Sequence, residues 1–224
     1  MNFDEILLID KPAGMTSFGV VARIRRKLSE KAEHRVKVGH TGTLDPFATG
    51  LMVILAGKKT KIAGDYSKLD KVYVATIKLG VTSTTGDPEG VITKKISSRS
   101  GFCVPDQELI EQILRSFVGE ITQTPPIYSA IKINGERAYK LARKGRTPKI
   151  PDRKVIIYEL ELVSYSYPDL VIRAHVSSGT YIRTLAEDIG KKLEIGAYTT
   201  ELRRTKVGDF DIKNALSLAE YMNI

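Results

Sequence analysis

KVYVATIKLG, residues 71–80, alternates apolar and polar side chains and puts Tyr73, Ala75, Ile77 and Leu79 on one face. Period-two patterning of this kind describes a strand with one buried and one solvated face, as antiparallel sheets have. A strand covered by helices on both sides, as in a doubly wound parallel sheet, reads instead as an unbroken apolar run. The alternation returns in KVIIYELELVSYS (154–166) and DLVIRAHVSS (169–178), and AYTTELRRTKVGDF (197–210) reads as a last strand. Outward from these, EILLID (5–10) reads as a short buried strand ending at Lys11-Pro12, and LMVILAG (51–57) as another apolar strand.

Helical spacing appears between the strands. Val20 or Val21, Ile24 and Leu28 form one stripe behind Ser17, a candidate N-cap. Residues 106–118 form a second, with Ile110, Ile113, Leu114 and Phe117 on one side and Gly119 as the stop. Tyr181, Leu185 and Ile189 mark a third helix, and NALSLAEYMNI (214–224) a last one. AIKINGERAYKLARKG (130–145) reads as strand, Asn134-Gly135 turn and a short helix ending at Gly145, while VTSTTGDPEG (81–90) reads as a loop. Without a strict strand–helix–strand rhythm, the expected class is α+β (mixed α/β) with a mostly antiparallel sheet. No repeat and no linker divides the chain, so residues 1–224 are expected to form one domain.

Lys and Arg number 35 against 26 Asp and Glu, a net charge of +9. That surplus favours a polyanionic partner, nucleic acid before an anionic membrane. It is clustered: seven cations lie between Arg23 and Lys37 against Glu30 and Glu33, and eight between Arg137 and Lys154 against Asp152 alone. Cys103 is the sole cysteine, which excludes an intrachain disulfide and a cysteine metal cluster. The acidic N-terminus does not resemble a signal peptide, and no stretch approaches the roughly 20 apolar residues of a membrane helix. A cytoplasmic protein is the expectation.

GHTGTLDPFATG, residues 39–50, is the candidate site. Pro46 drives Asp45 toward extended geometry, and Gly39 and Gly42 permit tight reversals, so the loop should be stiff and aim one carboxylate. An aspartate before a proline is also common in plain turns. His34, His40 and His175 lack metal-ligand spacing, and neither a phosphate-binding glycine loop nor a GxSxG elbow occurs. Asp87 in TGDPEG is the one other acid in a comparably constrained loop, and spacing alone does not pair it with Asp45.

GHTGTLDPFATGLM resembles the catalytic motif of the TruB family of pseudouridine synthases, which isomerise uridine-55 in the T loop of transfer RNA. LLIDKPAGMTS resembles the family's N-terminal block and KVYVATIKLGVTSTTGDPEG the strand and loop after the catalytic motif. TPPIYSAIKINGERAYKLARKG resembles its RNA-gripping thumb, an insertion at about 124–153, and SSGTYIRTLAEDIG and ELRRTKVGDF follow in family order. The resemblance implies the pseudouridine synthase fold with a central RNA-binding cleft. It makes Asp45 the nucleophile on a flipped-out uridine, attacking at the ribose or at the uracil ring. It gives Tyr73 a place against the base and a part in proton removal. Arg183 would pair with Asp45, keeping it ionised and aimed.

By the same resemblance Tyr181 lines the pocket, Leu202 closes its apolar wall and His40 helps displace the target base. Asp87 contacts RNA bases near the target, and Lys11 supports the active-site loops. No cofactor or metal is implied; the partner is transfer RNA through its T stem-loop, not DNA or membrane, and the state a monomer. Family members usually continue into a C-terminal PUA domain, whereas the sequence ends at Ile224, so no PUA domain is expected. The rival readings are a non-catalytic RNA-binding or RNA-folding protein, and the same chemistry on ribosomal or guide-directed RNA.

Overall fold

The computed structural model describes residues 3–95, 104–129, 131–133, 135–143 and 150–224. Cys103, Asn134, Lys144, Gly145, Arg146 and Lys149 lie outside the described residues. The chain forms two compact units, Met1–Tyr73 with Leu202–Ile224, and Val74–Glu201.

The first unit opens with β1 (Ile6–Lys11), α1 (Ser17–Ala32), β2 (Val38–His40) and β3 (Thr49–Ala56). β1 is half-buried along most of its length, only Ile9 and Lys11 being buried, so it is less enclosed than its apolar composition suggests. Thr16, not Ser17, caps α1, its hydroxyl accepting from Gly19 N at 3.0 Å. Ser17 is free for another task, described below, because Thr16 already serves the helix end. Val20, Val21, Ile24 and Leu28 are buried, as the stripe requires. A 3-10 turn (Gly57–Ile62) and α2 (Ala63–Ser67), neither evident in the sequence pattern, lead into β4 (Lys71–Leu79).

Along β4 the chain enters the second unit, and the alternating residues Tyr73, Ala75, Ile77 and Leu79 are all buried. The expected 81–90 loop contains strand: β5 (Val81–Ser83) pairs antiparallel with β6 (Ile92–Lys94). α3 (Gln107–Arg115) is capped by Asp106 and stops three residues before the expected end; Gly119, at φ +109, instead starts β7 (Gly119–Gln123). A small hairpin, β8 (Lys132–Ile133) with β9 (Glu136–Arg137), precedes α4 (Ala138–Arg143). The long β10 (Arg153–Ser166) pairs antiparallel with β7 on one side and with β11 (Asp169–Val176) on the other. α5 (Ile182–Lys192) buries Leu185 and Ile189, whereas Tyr181 stands outside the helix as its N-cap.

β12 (Ala197–Val207) returns the chain to the first unit, which closes with β13 (Phe210–Asp211), β14 (Leu216–Ser217) and α6 (Leu218–Asn223). The last helix starts only at Leu218, where Ser217 and Glu220 make a reciprocal capping box. The large sheet runs β14-β1-β3-β12-β4-β11-β10-β7, with β2 on β3 and β13 on β12, and it is mostly antiparallel. Parallel pairs occur at β1–β14 and β3–β12. In the second of these, Gly50 faces Arg204; a Cβ at Gly50 would sit 2.3 Å from the Arg204 carbonyl oxygen at φ +111, so only glycine fits.

Candidate active site

The loop from Thr41 to Ala48 joins β2 to β3 in the first unit, and its backbone is held from several directions. Thr41 N donates to Val53 O at 3.2 Å. The buried Ser17 hydroxyl accepts from Leu44 N at 2.8 Å and donates to Leu44 O at 2.9 Å. Pro46 O accepts from Gly14 N at 2.8 Å and from Lys11 Nζ at 3.2 Å. Lys11 is fully buried, and its ammonium also donates to Pro12 O and Met15 O. Both neighbours of Asp45 are therefore fixed. Asp45 itself is half-buried, and Ala48 N donates to its carbonyl at 3.2 Å.

Arg204 completes the brace. It is 2% exposed and donates from Nε to Leu51 O at 2.7 Å, from Nη2 to Gly42 O at 3.1 Å and from Nη1 to Thr43 O at 3.5 Å. Lys71 reaches the same place, since a Cβ on Gly42 would lie 3.3 Å from Arg204 Nη1 and 3.8 Å from Lys71 Cε. Burial, and then the Arg204 charge, lower the Lys71 ammonium to about 8. Its Nζ donates to Ser67 O at 2.8 Å and to Leu69 O. Two buried cations, Lys11 and Arg204, thus hold the loop through its backbone carbonyls, and Lys71 is buried beside it. His40 ends β2, half-buried and paired with Ile54, and Tyr73 and Leu202 are buried in β4 and β12.

The second unit holds Arg183, Asp87 and Tyr181. Arg183 lies in the first turn of α5, where the helix dipole disfavours a cation, yet it is only 3% exposed. Asp87 offsets this with a 2.9 Å ion pair to Nη1, and Nη1 and Nη2 also donate to Thr85 O at 2.7 Å and Tyr128 O at 2.9 Å. The remaining Asp87 oxygen accepts from Thr85 Oγ1 and from Glu89 N. Asp87, expected to face RNA bases, is thus a buried counter-charge, because a buried guanidinium without one would be costly. Within the second unit, the structure places Asp87 and Tyr128 beside Arg183, an arrangement the sequence did not suggest.

Tyr181, half-buried, is gripped twice. The buried Gln123 side chain accepts from Tyr181 N at 3.1 Å and donates to Tyr181 O at 3.3 Å. Arg153, the Cα partner of Gln123 across β10 and β7, places its guanidinium 4.7 Å from the centre of the Tyr181 ring. Sequence reasoning assigned no site role to Ser17, Gln123, Arg153, Arg204 and Lys71. Arg204 carried one usable signal: on a strand it shares a face with Leu202, which points it inward.

The fold and its braced loop define a mixed α/β protein whose candidate site is built on a carboxylate. Residues 25–182 match the TruB family pseudouridylate synthase (N terminal domain) model, and residues 183–223 match the tRNA pseudouridylate synthase B C-terminal domain model. The chain belongs to the TruB family of pseudouridylate synthases, which are isomerases. It is 44% identical to tRNA pseudouridine synthase B of Phocaeicola vulgatus, over 99% of this chain and 94% of that protein. To the Burkholderia mallei protein of the same name it is 45% identical, over 96% of this chain and 68% of that one. Among solved structures, the crystal structure of a Cbf5-Nop10-Gar1 complex is similar at TM-score 0.72 and 29% identity, over 97% of this chain and 53% of that one. An H/ACA RNP bound to a substrate RNA containing 2'-deoxyuridine gives TM-score 0.68 and 26% identity, over 97% and 52%. This chain spans about half the length of those two chains.

Proposed function

We propose that this protein converts uridine-55 in the T loop of transfer RNA to pseudouridine, with Asp45 as the nucleophile. The observation that supports the assignment is the bracing of both neighbours of Asp45 by Ser17, Lys11 and Gly14, which holds the backbone that carries its carboxylate. A preset geometry is what a lone carboxylate needs to attack a flipped-out nucleotide without a metal. The relatives named tRNA pseudouridine synthase B, at 44 and 45% identity, support transfer RNA as the substrate. The guide-associated complexes are more distant, at 26–29%.

In the reaction, Asp45 attacks the ribose or the uracil ring and the N1–C1′ bond breaks. The base turns in place, C5 bonds to C1′ as the bond to Asp45 is released, the C5 proton leaves and N1 takes up a proton. No atom is gained or lost, so no co-reactant is required. Tyr73 packs against the base and serves proton removal, and Leu202 and Tyr181 wall the pocket against water. Arg183, its guanidinium plane set by Asp87, Thr85 and Tyr128, pairs with Asp45. Arg153 and Gln123 hold the Tyr181 ring and backbone in register with the base. His40 helps displace the target base from the loop, and one domain acting as a cytoplasmic monomer performs the whole reaction.

Tritium release from unmodified transfer RNA carrying 5-tritiated uridine tests the proposal. The native protein should release tritium, Asp45→Asn should not, and RNA binding should persist in both. Mapping the product should place pseudouridine at the T-loop position. Release by Asp45→Asn at the native rate would refute the nucleophile, and modification at another site would refute the substrate.

A further inference from the structure

Hydrogen-bonding capacity is left unspent at one place in the second unit. PPIYS, residues 125–129, runs between β7 and β8 and supplies the Tyr128 carbonyl that accepts from Arg183 at 2.9 Å. Ser129 follows directly. It is 6% exposed and its amide donates to Ile127 O at 3.0 Å, yet its enclosed hydroxyl has no hydrogen-bond partner. Serine in a loop normally uses its hydroxyl on nearby backbone. Other hydroxyls of this unit do so: Ser177 Oγ accepts from Ile156 N at 2.8 Å, and Thr180 Oγ1 donates to Ser177 O at 2.9 Å. Ser129 forgoes that bond, so in the fold alone its hydroxyl carries a desolvation cost that alanine would avoid.

A buried polar atom without a partner is rare in a folded protein and calls for a reason outside the packing. Thr199 Oγ1 in β12 is the other hydroxyl in this state among the described residues, and there the strand itself favours a β-branched side chain. Ser129 lies in neither helix nor strand and has no such reason. The remaining unpartnered donors of this unit, Arg153 Nε and Nη2, belong to the guanidinium that stacks on Tyr181, the N-cap of α5. Open donors thus gather around the residues that start α5, Tyr181 and Arg183, which the proposed function puts at the reacting nucleotide. Uracil offers a lone hydroxyl two carbonyl oxygens, and these gain negative charge once the N1–C1′ bond breaks. A donor held away from water interacts more strongly as that charge grows. The ribose hydroxyls gain no such charge, and a phosphate calls for a cation rather than a neutral hydroxyl.

We propose that the Ser129 hydroxyl is a substrate contact, donating a hydrogen bond to a uracil carbonyl oxygen of the flipped nucleotide and stabilising the detached base; it rests on the reading of the chain as a transfer RNA pseudouridine synthase. The test compares the native protein with Ser129→Ala and with Ser129→Cys, which keeps a weaker donor of similar size. Ser129→Ala should have a denaturation midpoint equal to or above the native one, while kcat falls about tenfold and KM stays within about twofold. Ser129→Cys should turn over at a rate between the two. Transfer RNA assembled with 2-thiouridine or 4-thiouridine at the target position, its product followed by nucleoside chromatography, identifies the oxygen. The native protein should lose rate on one of these RNAs, because sulfur accepts weakly, and Ser129→Ala should lose nothing further on the same RNA. Equal losses by the two proteins on both RNAs would overturn the proposal. A loss on 2′-deoxyuridine RNA that Ser129→Ala alone escapes would move the contact to the sugar and overturn it too. So would a native rate for Ser129→Ala, or a lowered midpoint, which marks a hydroxyl that holds the fold. A native protein that converts no transfer RNA would fail the functional reading itself, an outcome distinct from an active native protein that Ser129→Ala matches.

Discussion

Two aspartates in this chain precede a proline in a loop containing glycine: Asp45 in GHTGTLDPFATG and Asp87 in TGDPEG. As sequence they are near equivalents. In the fold they do opposite work. Asp87 is 4% exposed, and its carboxylate is given over to Arg183, Thr85 and Glu89. At Asp45 the supporting bonds run to the backbone on either side, through Ser17, Gly14 and the carbonyl-bonded ammonium of Lys11. One loop uses its acid to neutralise a buried cation, and the other uses buried cations to fix the loop that carries the acid. A constrained Asp-Pro therefore does not identify a catalytic group; what is braced around it does.

The comparison breaks most visibly at Asp87. Asp87→Asn removes the counter-charge of a guanidinium that is 3% exposed, and should cost about 3–5 kcal/mol in chemical denaturation. A loss below about 1 kcal/mol would mean that Asp87 is not a structural partner. Ser17→Ala comes next. It strips both hydrogen bonds from Leu44 and should cost about 1–3 kcal/mol, with a lower turnover because Asp45 is no longer fixed on that side. Equal stability, measured the same way, would show that the brace contributes nothing.

The smallest effect is one of pH. Burial lowers the folded-state pKa of Lys71 to about 8 from 10.5. Between those values the unfolded chain binds more protons than the folded one, so stability rises with pH across the window. Below about pH 8 the full penalty of burying the charged ammonium is present, and above 10.5 it is gone. From pH 8 to 9.5 the native protein should gain about 1–2 kcal/mol relative to Lys71→Met. Parallel pH profiles for the two proteins would show that the Lys71 ammonium is not desolvated in the fold.

Much of the fold was legible because it rests on local patterns. The alternation of Tyr73, Ala75, Ile77 and Leu79 and the stripe of α1 depend on neighbours two to four residues away, and burial follows both. Strands β2 and β7 escaped notice because they are short and carry little alternation. At the site, Pro46 and the glycines announced a stiff loop, but the residues that make it stiff are distant. Ser17 lies 27 positions from Leu44, and Arg204 lies 162 from Gly42. Arg203 and Arg204 show that position on a strand, not residue type, decides burial. They are adjacent and identical, yet the first forms a partly exposed ion pair with Asp10 while the second is buried on backbone carbonyls, because a strand sends successive side chains to opposite faces.

The most direct test sets the two aspartates against each other in one assay, single-turnover tritium release at saturating transfer RNA, under conditions where both variants remain folded. Asp45→Asn should melt within about 2 °C of the native protein and release no tritium, while Asp87→Asn, though less stable, should still release it. Release by Asp45→Asn, or abolition by Asp87→Asn alone, would contradict the assignment of catalysis to the braced loop.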